Sequence, residues 1–202
     1  MGEKFTKAEV EGAIRVVGLD KAAAWDLKNA ASIKWTDRGG PGTSIWGCCI
    51  TSKSNGDGYS TAGSGRLPMC GAVSLTTAGG TDGMGVGLAA GGRLQFEWKD
   101  VSRGGNILAD HNTWMISCST GDMYVGAKKI GGTGKIESQQ IITIEWDQKG
   151  VSFLVDGVRR GKKHAWGRTP PEGGAVRVVA QLGEEGQSVS FAKKKITILP
   201  GK

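Results

Sequence analysis

Long hydrophobic runs are missing from this chain of 202 residues: its longest apolar stretches are a few residues, against the about 20 that a membrane-spanning helix needs. A helical span is therefore excluded. The N-terminus has no basic region followed by an apolar stretch, so no secretory leader is expected. Met1 to Thr6 fits the loose myristoylation pattern, but Glu3 beside the acceptor Gly2 makes a chance match the better reading. Proline is scarce, at five residues, and the thirty-five glycines follow no Gly-x-y period, which excludes collagen and low complexity. Histidine is limited to two residues and cysteine to four, without a Cys-x-x-Cys spacing. Cys48 and Cys49 are adjacent in the strand-like run Ile45 to Ile50, so their side chains project to opposite faces and cannot share a metal. Cys70 and Cys118 are isolated. No metal and no cofactor is expected, and reduced, mostly buried thiols suit a cytoplasmic protein.

What the chain has instead is alternation. Ile142, Ile144 and Trp146 fall on one face of a run whose other face carries Thr143, Glu145 and Asp147, the two-residue period of a half-buried strand. Val151, Phe153 and Val155 repeat the period after the turn Asp147 to Gly150, and Asp156-Gly157 is a strong turn signal behind them. The glycines stand at the ends of such runs, so the expected fold is an all-β antiparallel sandwich over about residues 31–199. Residues 1–30 read differently. Val10, Ala13, Ile14 and Val17 form one stripe of a helix from Thr6 to Gly18, and a second short helix is expected from Asp20 to Leu27, giving a helical lead-in.

The meander resembles the core of a SPRY (B30.2-like) domain, in which a strand ending in Asp leads through a Gly turn into Ser-Phe-x-Val. Other segments match in order: Gly85 to Ala89, His111 to Ile116, Thr120 to Tyr124, and Ala175 to Gly183. The resemblance spans Gly71 to Phe191 and implies a concanavalin-like sandwich that binds a peptide or protein surface through loops at one end. It places the loop Gly91 to Asn112 on that rim, with the loop Leu182 to Gln187 facing it. Arg93, Arg103, Leu182 and Glu184 are the implied contacts, with Trp98 a conditional apolar anchor, since its period-two spacing after Leu94 and Phe96 places it in the core instead. Trp114, Trp146 and Phe153 are assigned to the core.

An enzyme is not expected. Retaining glycoside hydrolases on related sandwiches need two carboxylates about 5 to 5.5 Å apart, in the order Glu-x-Asp-x-x-Glu. Glu145 and Asp147 have the first spacing, but Gly150 stands at the third position, and the pair reads as a solvated strand face. Gly131 to Lys135 resembles a phosphate loop without its leading glycine or its metal-binding hydroxyl. Asn55 to Gly58 lacks the Glu that would close a calcium loop.

Charge is the second signal. Lysine and arginine total 26 against 19 acidic residues, a net charge of +7. The excess clusters at Arg159, Arg160, Lys162 and Lys163, at Lys128 and Lys129, and at Lys193 to Lys195, patches that attract phosphate backbones or acidic protein surfaces. A basic component of a ribonucleoprotein or filament assembly is thus the second functional reading, with nucleic acid a secondary partner, and a carbohydrate-binding sandwich is the third. Convergence of the basic clusters on one face would favour the second; an exposed aromatic platform would favour the third.

Overall fold

The computed structural model describes residues 33–39, 42–53, 58–65, 67, 71–90, 113–126, 128–132, 134–166 and 176–192. The predicted N-terminal helices, residues 1–30, lie outside them. The described residues form fourteen strands: β1 Trp35–Gly39, β2 Thr43–Trp46, β3 Cys49–Ser52, β4 Ser60–Ser64, β5 Gly71–Ala78, β6 Gly85–Ala90 and β7 Thr113–Ser117, then β8 Asp122–Val125, β9 Lys128–Gly132, β10 Ile141–Asp147, β11 Gly150–Val155, β12 Val158–His164, β13 Val176–Leu182 and β14 Ser188–Phe191. They pair antiparallel in two seven-stranded sheets, ordered β1-β4-β13-β6-β7-β8-β9 and β12-β11-β10-β5-β14-β3-β2. The expected all-β sandwich is what the described residues form.

The period-two runs decide what faces the core. Ile142, Ile144 and Trp146 of β10 alternate buried and half-buried with their neighbours, and Val151, Phe153 and Val155 lie opposite them on β11. From the other sheet, Leu88, Trp114, Ile116, Val178 and Ala180 join the same cluster. Trp114 packs edge-on against Trp166 with ring centroids 4.7 Å apart, and its indole N–H donates to the Ala165 carbonyl, which ties the segment after β12 to the opposite sheet. Trp114, Trp146 and Phe153 are core residues, as their spacing predicts.

Turn chemistry sets the registers. Asp147 closes the β10–β11 hairpin by accepting the amides of Lys149 and Gly150 at 2.8 and 3.2 Å. Asp156 and Gly157 take φ of 50° and 78°, the pair of positive values that a two-residue hairpin turn demands. The run Ile45 to Ile50 is not the single strand expected. It folds back at Gly47 and Cys48 into the β2–β3 hairpin, with Trp46 opposite Cys49. Cys48 is consequently exposed and Cys49 half-exposed; among the described cysteines only Cys118 is buried.

Antiparallel pairing also fixes which loops share an end. In the β6–β13 pair, Ala90 lies opposite Val176 and Gly85 opposite Gln181. One end of the sandwich therefore carries the exits of β6 at Ala90, the entry to β7 at Thr113 and the turn 147–150. The other end carries the connections 79–84 and 183–187 and the turn Asp156-Gly157.

Candidate interaction surfaces

The end bearing residues 79–84 and 183–187 is built from buried amides outward. Gln187 is fully buried; its side-chain oxygen accepts the amides of Gly183 and Glu184 at 2.8 and 3.1 Å, and its nitrogen donates to the Asp82 carbonyl at 2.8 Å. Gln181, also fully buried, donates to the Gly83 carbonyl at 2.9 Å. The two turns press together so closely that a Cβ on Gly83 would stand 2.9 Å from the Gly183 Cα, a distance only glycine permits. Ser52 adds a third strand end, donating its amide to the Gln187 carbonyl and accepting that of Gly186. Buried polar groups satisfied in this way rigidify the backbone that they hold. Asp82, Glu184 and Glu185 stand exposed on that frame, with Tyr59 half-exposed beside Gly83.

Of the two implied contact residues among the described residues, Glu184 lies on an exposed loop. Leu182 is a correction. It is fully buried, because it continues the inward row Val176, Val178, Ala180 at period two. Arg93, Trp98 and Arg103 lie outside the described residues, and the strand ends flanking their loop, Ala90 and Thr113, are at the opposite end of the sandwich from 183–187. The two loops expected to face each other therefore leave opposite ends, a direct result of β6 running antiparallel to β13. Asp82, Glu185 and Tyr59 went unpredicted; the Asp82-Gly83 and Glu185-Gly186 turn dipeptides were the available signal.

The basic cluster of β12 is an edge-strand feature. Arg159 donates to Glu145 at 2.9 Å and to Ser152 at 2.6 Å, and Lys163 pairs with Asp147 at 2.5 Å. Glu145 and Asp147 are thus taken up by ion pairs on a partly solvated strand face. Burial pushes the Asp147 carboxyl up, but Lys163 and the backbone amides of Lys149 and Gly150 outweigh it and hold its pKa below the ordinary 3.8. On β9, Lys129 pairs with Asp122 at 2.8 Å and holds that carboxyl below its ordinary value as well. The third cluster, Lys193 to Lys195, lies outside the described residues.

Burial pushes the Cys118 thiol up to about 12, which keeps it protonated and a poor nucleophile. Among the described residues no group of three or more His, Cys, Asp or Glu side chains could hold a metal ion. Among the described residues Trp46 is the most exposed of the large apolar side chains, at 78%, and Val158 is the other exposed one, so no second exposed aromatic ring is found among them.

No protein-family model matches the sequence, and no curated protein matches it either. Solved structures do match in shape. The SPRY domain of human HERC1 shares 13% identity at a TM-score of 0.50, over 71% of this chain and 87% of that one. The TRIM65 PSpry domain shares 9% at 0.53, over 80% and 92%. The NEUZ (NHR) domain of Neuralized from Drosophila melanogaster shares 10% at 0.52, over 80% and 91%. With strand order, core and these likenesses in agreement, the chain has the fold of a SPRY-like β-sandwich.

Proposed function

We propose that the chain is a non-enzymatic interaction module, a SPRY-like adaptor or scaffold that binds a peptide or protein surface through loops at one end of the sandwich. The observation that supports this reading best is the joined pair of turns 79–84 and 183–187. Loops that carry recognition work best when a rigid scaffold has already set their shape, because little conformational entropy is then lost on binding. Here the shape is set by two fully buried glutamines and by glycine backbones in contact. The side chains presented on it are acidic, so the partner surface is basic or rich in backbone N–H donors.

Capture of partners from lysate tests this. Glu184→Lys combined with Glu185→Lys reverses the charge of the rim at two exposed positions, at the cost of the long 3.5 Å hydrogen bond that Glu184 accepts from Gln187, about 0.5 to 1 kcal/mol. Partner capture is expected to be abolished while the melting temperature hardly moves. Unchanged capture by the double variant would refute binding at this end; Arg93→Ala with Arg103→Ala would then test the other.

A further inference from the structure

We propose that the edge of β12, an outermost strand among the described residues, together with β9 beside it, is a second docking surface, which takes an acidic, partly apolar segment of a partner protein. It lies on the side of the sandwich, away from the rim at Glu184.

The pairing pattern splits the basic cluster into two sets. Arg159, Lys163 and Lys129 are neutralised by Glu145, Asp147 and Asp122. Arg160, Lys162 and Lys128 make no ion pair or hydrogen bond among the described residues. Arg160 is the telling member. It lies across from Phe153 on the core-facing side of the edge strand, half-buried, and its Nε is enclosed without an acceptor. An enclosed donor without an acceptor is unfavourable in the isolated chain; the Nε itself is sealed from solvent, so a partner carboxylate would meet the rest of the half-buried guanidinium and offset its charge. Nor does a neighbouring acid offer to do so. Asp156, at the head of β12, spends both oxygens on the Ile141 amide and the Gln140 side chain, at 2.9 and 2.7 Å.

The two edges meet over one side chain. The methyl of Met123 would lie 2.8 Å from a Cβ on Gly161 of β12 and 3.1 Å from a Cβ on Gly131 of β9. From that contact Lys128 and Lys162 lie toward the end that bears the turn 147–150 and Arg160 toward the other, so the unpaired cations flank the meeting point of the two sheet edges. Solubility alone gives a reason for basic residues and a glycine bulge on an edge strand, since both discourage edge-to-edge pairing. It gives none for a half-buried, unpaired guanidinium. Val158, 61% exposed on the same side of β12 as Arg160, sets the class of partner. An aliphatic side chain beside the cations suits a protein segment with an apolar residue among its acids.

The test uses the whole chain and a labelled peptide of alternating glutamate and leucine, with a single-stranded RNA of similar length as the rival ligand. Binding of the peptide is expected to weaken by about tenfold or more in Arg160→Gln with Lys162→Gln and Lys128→Gln, and by less than about threefold in the paired-set control Arg159→Gln. Arg160→Lys, which keeps the charge and loses the fork, should weaken it measurably and serves if the triple variant fails to fold. Glu184→Lys with Glu185→Lys should leave peptide binding intact, which separates this surface from the rim. Absence of peptide binding at low salt, equal losses in the paired and unpaired variants, or RNA binding tighter than the peptide would each overturn the proposal.

Discussion

His164 ends β12 opposite Val151, buried, with its Nε2 lacking a hydrogen-bond partner. Burial first, and the charge of Lys162 second, hold its pKa below the ordinary 6.5. The unfolded chain therefore takes up this proton at a higher pH than the folded one. Stability is unaffected above about pH 6.5, falls as the pH drops through the window beneath it, and levels off below the folded pKa. Urea midpoints measured from pH 7 to pH 5 should decline in the wild type and decline less in His164→Gln; equal slopes would place the imidazole in water. Leu182 gives a second prediction at this scale. Since it is buried among Val178, Ala180 and their neighbours, Leu182→Ala should cost about 2 to 5 kcal/mol, close to the about 3 to 5 expected for Phe153→Ala. Chemical denaturation showing a loss below about 1 kcal/mol at either site would put that side chain on the surface.

At the level of elements, the meander β10 to β12 was legible because its period-two runs are long and its turns carry Asp and Gly at the positions that set their geometry. β6, β7, β8 and β13 were found by motif and order. The β2–β3 hairpin was not, since Ile45 to Ile50 reads as one apolar run and only Gly47, at φ 59°, breaks it. The rim was half legible. Glu184 follows from the turn, whereas the separation of that turn from the loop after β6 depends on which strand pairs with β13, a long-range choice that local sequence does not carry. Leu182 stands at the border of the turn, and the period of Val176 and Val178 assigns it inward. The joined turns make their own prediction. A Cβ at Gly183 would come 2.7 Å from the Asp82 carbonyl oxygen and 2.8 Å from the Gly83 Cα, both backbone atoms that cannot swing aside. Gly183→Ala should thus destabilise by about 1 to 3 kcal/mol and loosen the rim; a thermal melt identical to wild type would show that the turns do not need this contact.

Over the whole molecule, the net charge of +7 is unevenly laid out. Acids gather at the rim in Asp82, Glu184 and Glu185, while the unpaired cations lie along the β9 and β12 edges. Under the two proposals above, these surfaces of opposite sign would engage separate partners. The rim also bears on how such a protein can change. Turns 79–84 and 183–187 touch through their backbones and share the hydrogen bonds of one glutamine, so neither can gain or lose a residue without disturbing the other. Loop length, the variable through which many binding surfaces diversify, is closed at this end; new specificity there must come from exchanging side chains at fixed positions, while insertions are left to the connections that leave the far end of the sheets.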